Sequence, residues 1–445
     1  MLNKQKFSNW PFHPKKWPFF YGWMIIISGT LGIIMSIPGQ TMGVSTFTDS
    51  LIGALKMSRD DLTTSYLAGT IVSASLLTWV GKLYDKKGVR PIAMLSTVSM
   101  ALVLVYLSQT DRIIYWLAET NDNRLLNIVM MFLGFFMLRF AGQGALTMVS
   151  RNMMMKWFEK RRGFAMGFSN VATAICFSMA PVFFEFLIKQ NGWRGAWIVL
   201  AAIAGLGFTF YILVFFRDDP ENSDIAMDGN YVPTKNEKTN LFPVVKDYTL
   251  VEARGTFSFW LFTAMLAAQA LYITGLTFNI TSLFEVSGLS REEAVQIFIP
   301  SAVIAVIVTL SVSKLSDYIR LKYLLYVMGC GGMIALIGMI FLGDISWALY
   351  LLIFGNGILM GLYSVVLSVT WPRYFGKTHL GAISGHSIMY IVVASAIGPK
   401  LFSEALSYHG SYDAAGWACL IMYAIFTIAA VWANNPQEKW RKSDK

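Results

Sequence analysis

Charge is scarce in this chain. Only 14% of its 445 residues are Asp, Glu, Lys or Arg, whereas a soluble globular protein carries about 25%. The shortage excludes a disordered segment, which stays unfolded through high charge and few apolar residues. It also argues against a nucleic-acid module, which needs a dense basic face. Cysteine is scarcer still. Cys176, Cys330 and Cys419 are the only three; all lie in apolar runs without disulfide or zinc spacing and are expected to be packing residues. Four histidines without metal-ligand spacing, and no nucleophile–base arrangement, leave no reaction to propose. No enzyme, cofactor or metal is therefore expected. Acids are the minority sign, 26 against 36 bases, for a net charge of +10.

What the chain has in quantity is apolar surface: 55% hydrophobic residues, 15% aromatic and 24 methionines, with a mean hydropathy of +0.53. A helix crosses a bilayer with roughly 20 apolar residues, because each backbone N–H and C=O must be paired internally there. Eleven runs of that length lack Asp, Glu, Lys and Arg, near 20–46, 62–80, 91–110, 164–184, 195–216, 257–284, 294–313, 323–343, 345–370, 380–399 and 414–437. A twelfth, near 125–150, is interrupted once, by Arg139. The prediction is an all-α membrane protein with twelve transmembrane helices, numbered here as spans 1 to 12 in chain order. The first run is too long for a signal-peptide core and lacks a small-residue cleavage site, so no cleavable leader is expected.

Lys and Arg in the loops set the orientation. With both termini in the cytoplasm, inside segments hold 27 basic residues and outside segments eight (Lys56, Arg59, Arg112, Arg124, Lys189, Arg194, Arg291 and Lys400), leaving Arg139 alone within a span. The inside tails contribute Lys4, Lys6, Lys15 and Lys16 at one end and Lys439, Arg441, Lys442 and Lys445 at the other. The excess of base is thus a topology signal, and no nucleic-acid partner is expected. Compact loops and short tails suit a cell inner membrane. The longest polar stretch, 217–256, begins Arg217-Asp218-Asp219-Pro220 and reads as a cytoplasmic linker. Near its end Thr249 and Glu252 have capping-box spacing, which predicts a short helix leading into span 7.

The two halves repeat. Ser58-Arg59-Asp60-Asp61 and Gly81-Lys82-Leu83-Tyr84-Asp85 recur as Ser290-Arg291-Glu292-Glu293 and Ser313-Lys314-Leu315-Ser316-Asp317 at a constant offset of 232 residues. Gly163, Gly167 and Pro181 recur as Gly381, Gly385 and Pro399 at an offset of 218. Two like halves in one membrane predict a binding site between them near the midplane. The expected organisation is a tail over 1–19, a six-helix bundle over 20–216, the linker over 217–256, a second pseudo-symmetric bundle over 257–436 and a tail over 437–445.

The run Gly81-Lys82-Leu83-Tyr84-Asp85-Lys86-Lys87-Gly88-Val89-Arg90 resembles the signature loop between helices 2 and 3 of the major facilitator superfamily. Tyr21-Gly22-Trp23, Trp157-Phe158-Glu159-Lys160-Arg161-Arg162-Gly163, Gly192-Trp193-Arg194 and Thr249-Leu250-Val251-Glu252-Ala253 resemble its monocarboxylate porter and oxalate/formate exchanger group. The resemblance implies the major facilitator fold and alternating-access transport. The chain departs from it in one respect that bears on substrate: span 8, about 294–313, lacks the basic residue expected of small-dicarboxylate exchangers and the acid–arginine pair expected of proton-coupled monocarboxylate porters.

Candidate residues follow from cost. A charge at mid-membrane costs about 2.5–3.5 kcal/mol on insertion scales, so Arg139 should face a partner or a watery path. Gln143, Thr147 and Ser150 follow it at helical spacing, as one polar stripe. With no acid at that depth, the guanidinium is suited to an anion, carboxylate being the best bidentate match; the alternative is a structural pin on backbone carbonyls. Gln40 (beyond Pro38, a predicted kink), Tyr66, Asn170, Gln269, Tyr272, Tyr363, His386 and Tyr390 fall on plausible inner faces, as ligand contacts or helix–helix glue. In the signature loop Gly81 and Gly88 permit close approach and a tight turn, while Asp85, Arg90 and the repeat copy Asp317 are candidate gating residues, a carboxylate there being able to cap a neighbouring helix.

The leading expectation is a secondary active transporter of a small organic anion, most simply a monocarboxylate, acting as a monomer in a lipid bilayer, with a coupling proton, carried on the substrate or His386, or none. Two alternatives stand beside it. One is a carrier of a neutral or amphipathic solute with Arg139 structural; the other is a transporter-like membrane receptor.

Overall fold

The computed structural model describes residues 9–120, 123–229 and 242–441. Lys4, Lys6, Lys442, Lys445 and linker residues 230–241 lie outside them, as do the side chains of Arg59, Arg291, Glu292 and Arg441. Among the described residues every regular element is a helix. Nine are individually long and apolar enough to cross a membrane, and a bent pair, Asp60–Ser75 with Leu77–Lys87 at 41°, makes a tenth crossing. One of the nine, Arg162–Phe215, runs 54 residues, roughly 80 Å if straight against a hydrocarbon core of about 30 Å. It reverses at Gly192, whose φ of 67° is the left-handed conformation a side chain resists, and so supplies spans 5 and 6. The remaining crossing is span 1, whose regular part, Gly22–Met35, is too short alone. Twelve spans result, as the hydropathy predicts.

Span 1 is short because it breaks. Pro38 has no N–H to give, and the chain passes through a 3-10 turn, Ile37–Gly39, before resuming as Thr41–Ser45. Span 4 also departs from regularity, against the expectation of unbroken α-helical spacing. Its α-helices Arg124–Leu138 and Thr147–Trp157 are joined by a π-helical segment, Arg139–Leu146, a rare geometry found mostly at functional sites. Broken span 1 fits against that segment because both are bare there: a Cβ on Gly39 would lie 2.9 Å from the Cα of Gly142.

Capping residues show why helices start where they do. Ser58 accepts from the Asp61 N–H at 3.0 Å, and its repeat copy Ser290 accepts from Glu293 at 3.3 Å. The predicted helix before span 7 is present as Leu250–Arg254, opened by the Thr249–Glu252 capping box.

The chain forms two compact units, described here separately. Unit 1 takes residues within 1–159, 172–231 and 384–389; unit 2 takes those within 160–171, 232–383 and 390–445. In unit 1 Phe47 and Trp197 pack with ring centroids 4.5 Å apart, and Arg194 pairs with Asp111. In unit 2 spans 9 and 10 (Lys322–Ile340 and Ala348–Phe375) cross so closely that a Cβ on Gly355 would collide with the Ala335 backbone nitrogen and the Gly331 carbonyl. Small residues let helices pack in this way where lipid gives no hydrophobic incentive.

Candidate functional site

In unit 1 the break in span 1 leaves the Gly39 carbonyl without its helical partner, and Arg139 reaches it. Nη1 of Arg139 donates to Gly39 O at 3.3 Å and to Thr41 Oγ1 at 3.2 Å. The guanidinium carbon lies 5.0 Å from the centroid of the Tyr66 ring, and Tyr66 Oη donates to the same Thr41 hydroxyl at 2.8 Å. The Arg139 side chain is 1% exposed, its Nε is buried without an acceptor, and no carboxylate among the described residues pairs with it. Its neighbours are all neutral. Gln143 is half-buried on the π-helical segment, and Gln40 donates to Ser36 Oγ and Thr147 Oγ1, both at 3.1 Å. Thr41 joins Arg139 to Tyr66 and escaped the sequence reading. A threonine just beyond Pro38 and Gln40 is the only signal that could have found it.

His386 belongs to the short segment grouped with unit 1. It is buried, with Nδ1 3.0 Å from Thr78 Oγ1.

The remaining substrate-contact candidates lie in unit 2 and are neutral. Tyr272 is fully buried and donates to Asn356 Oδ1 at 2.9 Å; Gln269 Oε1 accepts from Tyr423 at 3.1 Å. Both side chains are thereby engaged by spans 10 and 12, which makes them helix–helix ties of unit 2. Asn170 is buried, with its Nδ2 unpartnered and its Oδ1 3.5 Å from Ser368 Oγ. Tyr363 is half-buried, while Tyr390 is 37% exposed, edge-on to Trp260 with centroids 5.4 Å apart.

The signature-loop residues divide. Asp317 stands just past span 8 and holds the first turn of span 5, accepting from the Gly163 N–H at 2.9 Å and the Phe164 N–H at 3.3 Å. Burial raises its pKa to about 6, although both N–H bonds and the nearby Arg162 and Arg373 charges oppose the rise. Asp85 is half-buried and Gly81 buried. Arg90 meets backbone: its Nε donates to Phe216 O at 2.7 Å and Nη2 to Trp10 O at 2.6 Å.

The start of the expected linker does structural work that the sequence reading missed. Asp218 Oδ1 accepts from the Val89 N–H at 2.5 Å, so it caps span 3, and its carboxylate lies 2.7 Å from where a Gly88 Cβ would stand. Gly88, with φ at 88°, has room only for hydrogen. Burial raises the Asp218 pKa. Asp219 pairs with Lys156 at 3.0 Å, and Arg217 donates to Phe12 O at 3.3 Å. Aspartates directly after an apolar run were the available signal.

A family model, the Major Facilitator Superfamily, matches residues 19–399. Among solved structures, the proton:xylose symporter XylE bound to 6-bromo-6-deoxy-D-glucose is similar at 16% identity and a TM-score of 0.66, covering 94% of this chain and 98% of its own. The transporter FucP in the outward conformation is similar at 14% identity and 0.61, covering 92% and 98%. A bacterial homologue of the iron transporter ferroportin, in an outward-facing state, is similar at 14% and 0.61, covering 94% and 99%. Likeness at these identities concerns the fold. No curated protein sequence matches the chain.

Proposed function

We propose, given that the chain belongs to the major facilitator superfamily and is a secondary transporter, that its cargo is a small organic anion, most simply a monocarboxylate, moved by alternating access. One observation carries the reading: the Arg139 guanidinium is buried among neutral partners, with one nitrogen bonded and no carboxylate paired with it among the described residues. A buried cation without a counter-charge costs several kcal/mol. An incoming carboxylate relieves that cost, and the guanidinium fork matches it bidentately. Tyr66, Gln143 and Gln40 complete the polar wall on this unit. Asn170, Tyr363, Tyr390 and His386 are proposed to shape the space around the rest of the cargo, with Gln269 and Tyr272 acting through the helices they tie. The absence of a base from span 8 favours one anionic group over two. This reading also keeps the chain near the monocarboxylate porter group.

The proposed gate is the carboxylate cap. The bonds of Asp317, just past span 8, to the first turn of span 5 support it, and Asp85, at the 232-residue offset, is the proposed counterpart, with Gly81, Gly88 and Arg90 shaping the loop. The positive-inside count supports both termini in the cytoplasm and a cell inner membrane, and the protein is proposed to act as a monomer.

A second reading has its own observation. The bond from Arg139 to Gly39 O is what a structural pin would make, and with it the cargo would be neutral. Counterflow in proteoliposomes separates the two. Labelled monocarboxylates should exchange in wild type and sugars should not; uptake confined to neutral solutes would overturn the anion reading.

A further inference from the structure

Unit 2 carries a second basic site, outside everything assigned above. A narrow surface cleft opens between the start of span 9 and the chain just after span 12, lined by Arg320, Lys322, Arg373, Asn434, Asn435 and Glu438, among others. It lies at the N-terminus of the 19-residue helix Lys322–Ile340, whose N-cap, Leu321, supplies no side-chain cap. The positive end of the helix dipole therefore lies at the cleft, although the Tyr323 and Leu324 N–H groups donate to Arg320 O and Leu321 O.

The three cations differ in role. Arg373 is fixed: Nη1 donates to Ser316 O, Nη2 to Ile319 O at 2.7 Å, and the guanidinium lies 4.1 Å from the Phe242 ring centroid. It supplies field. Lys322 Nζ donates to Asn434 Oδ1 at 2.8 Å and, with three protons, has a direction to spare. Arg320 is exposed and makes no ion pair among the described residues. Glu438, half-buried, is the one acid among the residues lining the cleft, and Arg373 also lies near Asp317.

A neutral group makes this more than a basic patch. Asn435 is 8% exposed, and its Oδ1 accepts from the Gln437 N–H at 3.0 Å, which fixes the amide orientation. Its Nδ2 is then buried with no acceptor, on a residue that lines the cleft. An orphaned donor of that kind costs about 1–3 kcal/mol unless something occupies the cleft.

We propose that this cleft binds a phosphate-bearing anion through Arg320, Lys322 and Asn435 Nδ2, joining the start of span 9 to the chain after span 12. The charge-assisted donors, the helix N-terminus and the orphaned amide all favour the same chemistry. Two sources present it: the headgroup of an anionic phospholipid and free inorganic phosphate.

The test uses the full-length protein. One arm titrates phosphatidylglycerol into phosphatidylcholine nanodiscs and counts retained lipid by native mass spectrometry. The other titrates inorganic phosphate in lipid-depleted detergent and follows the melting temperature. Saturable binding in the first arm alone identifies the headgroup; saturation in the second identifies free phosphate; either supports the site. Arg320→Gln and Asn435→Asp, the latter keeping the Oδ1 cap while replacing the donor by charge, should weaken binding about fivefold or more. Glu438→Gln, which removes the opposing charge, should tighten it, and it keeps the test open should another variant fail to fold. Saturation in neither arm, or equal affinity across the variants, would overturn the proposal.

Discussion

In unit 1 a buried guanidinium makes long bonds to a glycine carbonyl and a threonine, set where one helix is broken and the next is π-helical. In unit 2 the buried polar groups of span 7 are neutral and closed on themselves, tyrosine to asparagine and glutamine to tyrosine, within an unbroken helix, Phe257–Val286. The repeat supplied both halves with one scaffold, so the contrast is local. A closed pair contributes stability and asks for nothing further. An open charge in an irregular backbone carries a cost that a ligand can offset.

The comparison breaks most readily at Arg139. Arg139→Gln removes the charge and should lower affinity for a monocarboxylate at least about tenfold in counterflow, the weight of a charged hydrogen bond of about 1.5–3 kcal/mol; an unchanged half-saturation concentration would make unit 1 as closed as unit 2. The next effect concerns stability. Asp219→Ala removes the ion pair of Lys156, which keeps the field of Asp218 and the Tyr84 ring, and should cost ~1 kcal/mol in denaturant unfolding, less than a fully buried pair because Asp219 is 38% exposed. Adding Lys156→Met should recover part of that loss.

Asp317 gives a pH signature. Its folded pKa of about 6 lies above the ordinary 3.8, so its contribution to stability is complete below the lower value and is lost as pH rises through the upper one. Wild-type melting temperature should fall across that window, and Asp317→Asn should flatten the step. An unaltered profile would mean that the step belongs to another group. The smallest effect is expected at Tyr272→Phe, which opens one closed pair. It should cost about 0.5–1 kcal/mol of stability and leave cargo affinity within about twofold; a large affinity loss would move Tyr272 into the binding site.

Much of this was legible in the chain. The spans follow from uncharged runs, the kink from Pro38, the capping box from Thr249 and Glu252, and a lone charge within span 4 from Arg139. The π-helical segment was not legible, because Arg139, Gln143 and Thr147 read as an ordinary helical stripe, and a shift to longer-range backbone bonding depends on what packs against it. Thr41 was missed because one hydroxyl carries no pattern. Asp218 and Asp219 were read as linker, since a cap donated from 129 residues away leaves no periodic trace. The partners of Gln269 and Tyr272 on spans 12 and 10 were not legible either, since one hydrogen bond between spans leaves no pattern in the chain.

The most direct test compares a labelled monocarboxylate with its own primary amide, equal in shape and different in charge, in the same proteoliposomes. Wild type should take up the acid over the amide by about tenfold or more, and Arg139→Gln should bring that ratio close to one. Equal uptake of acid and amide by wild type would contradict the account, and would leave Arg139 as a pin on the broken first span.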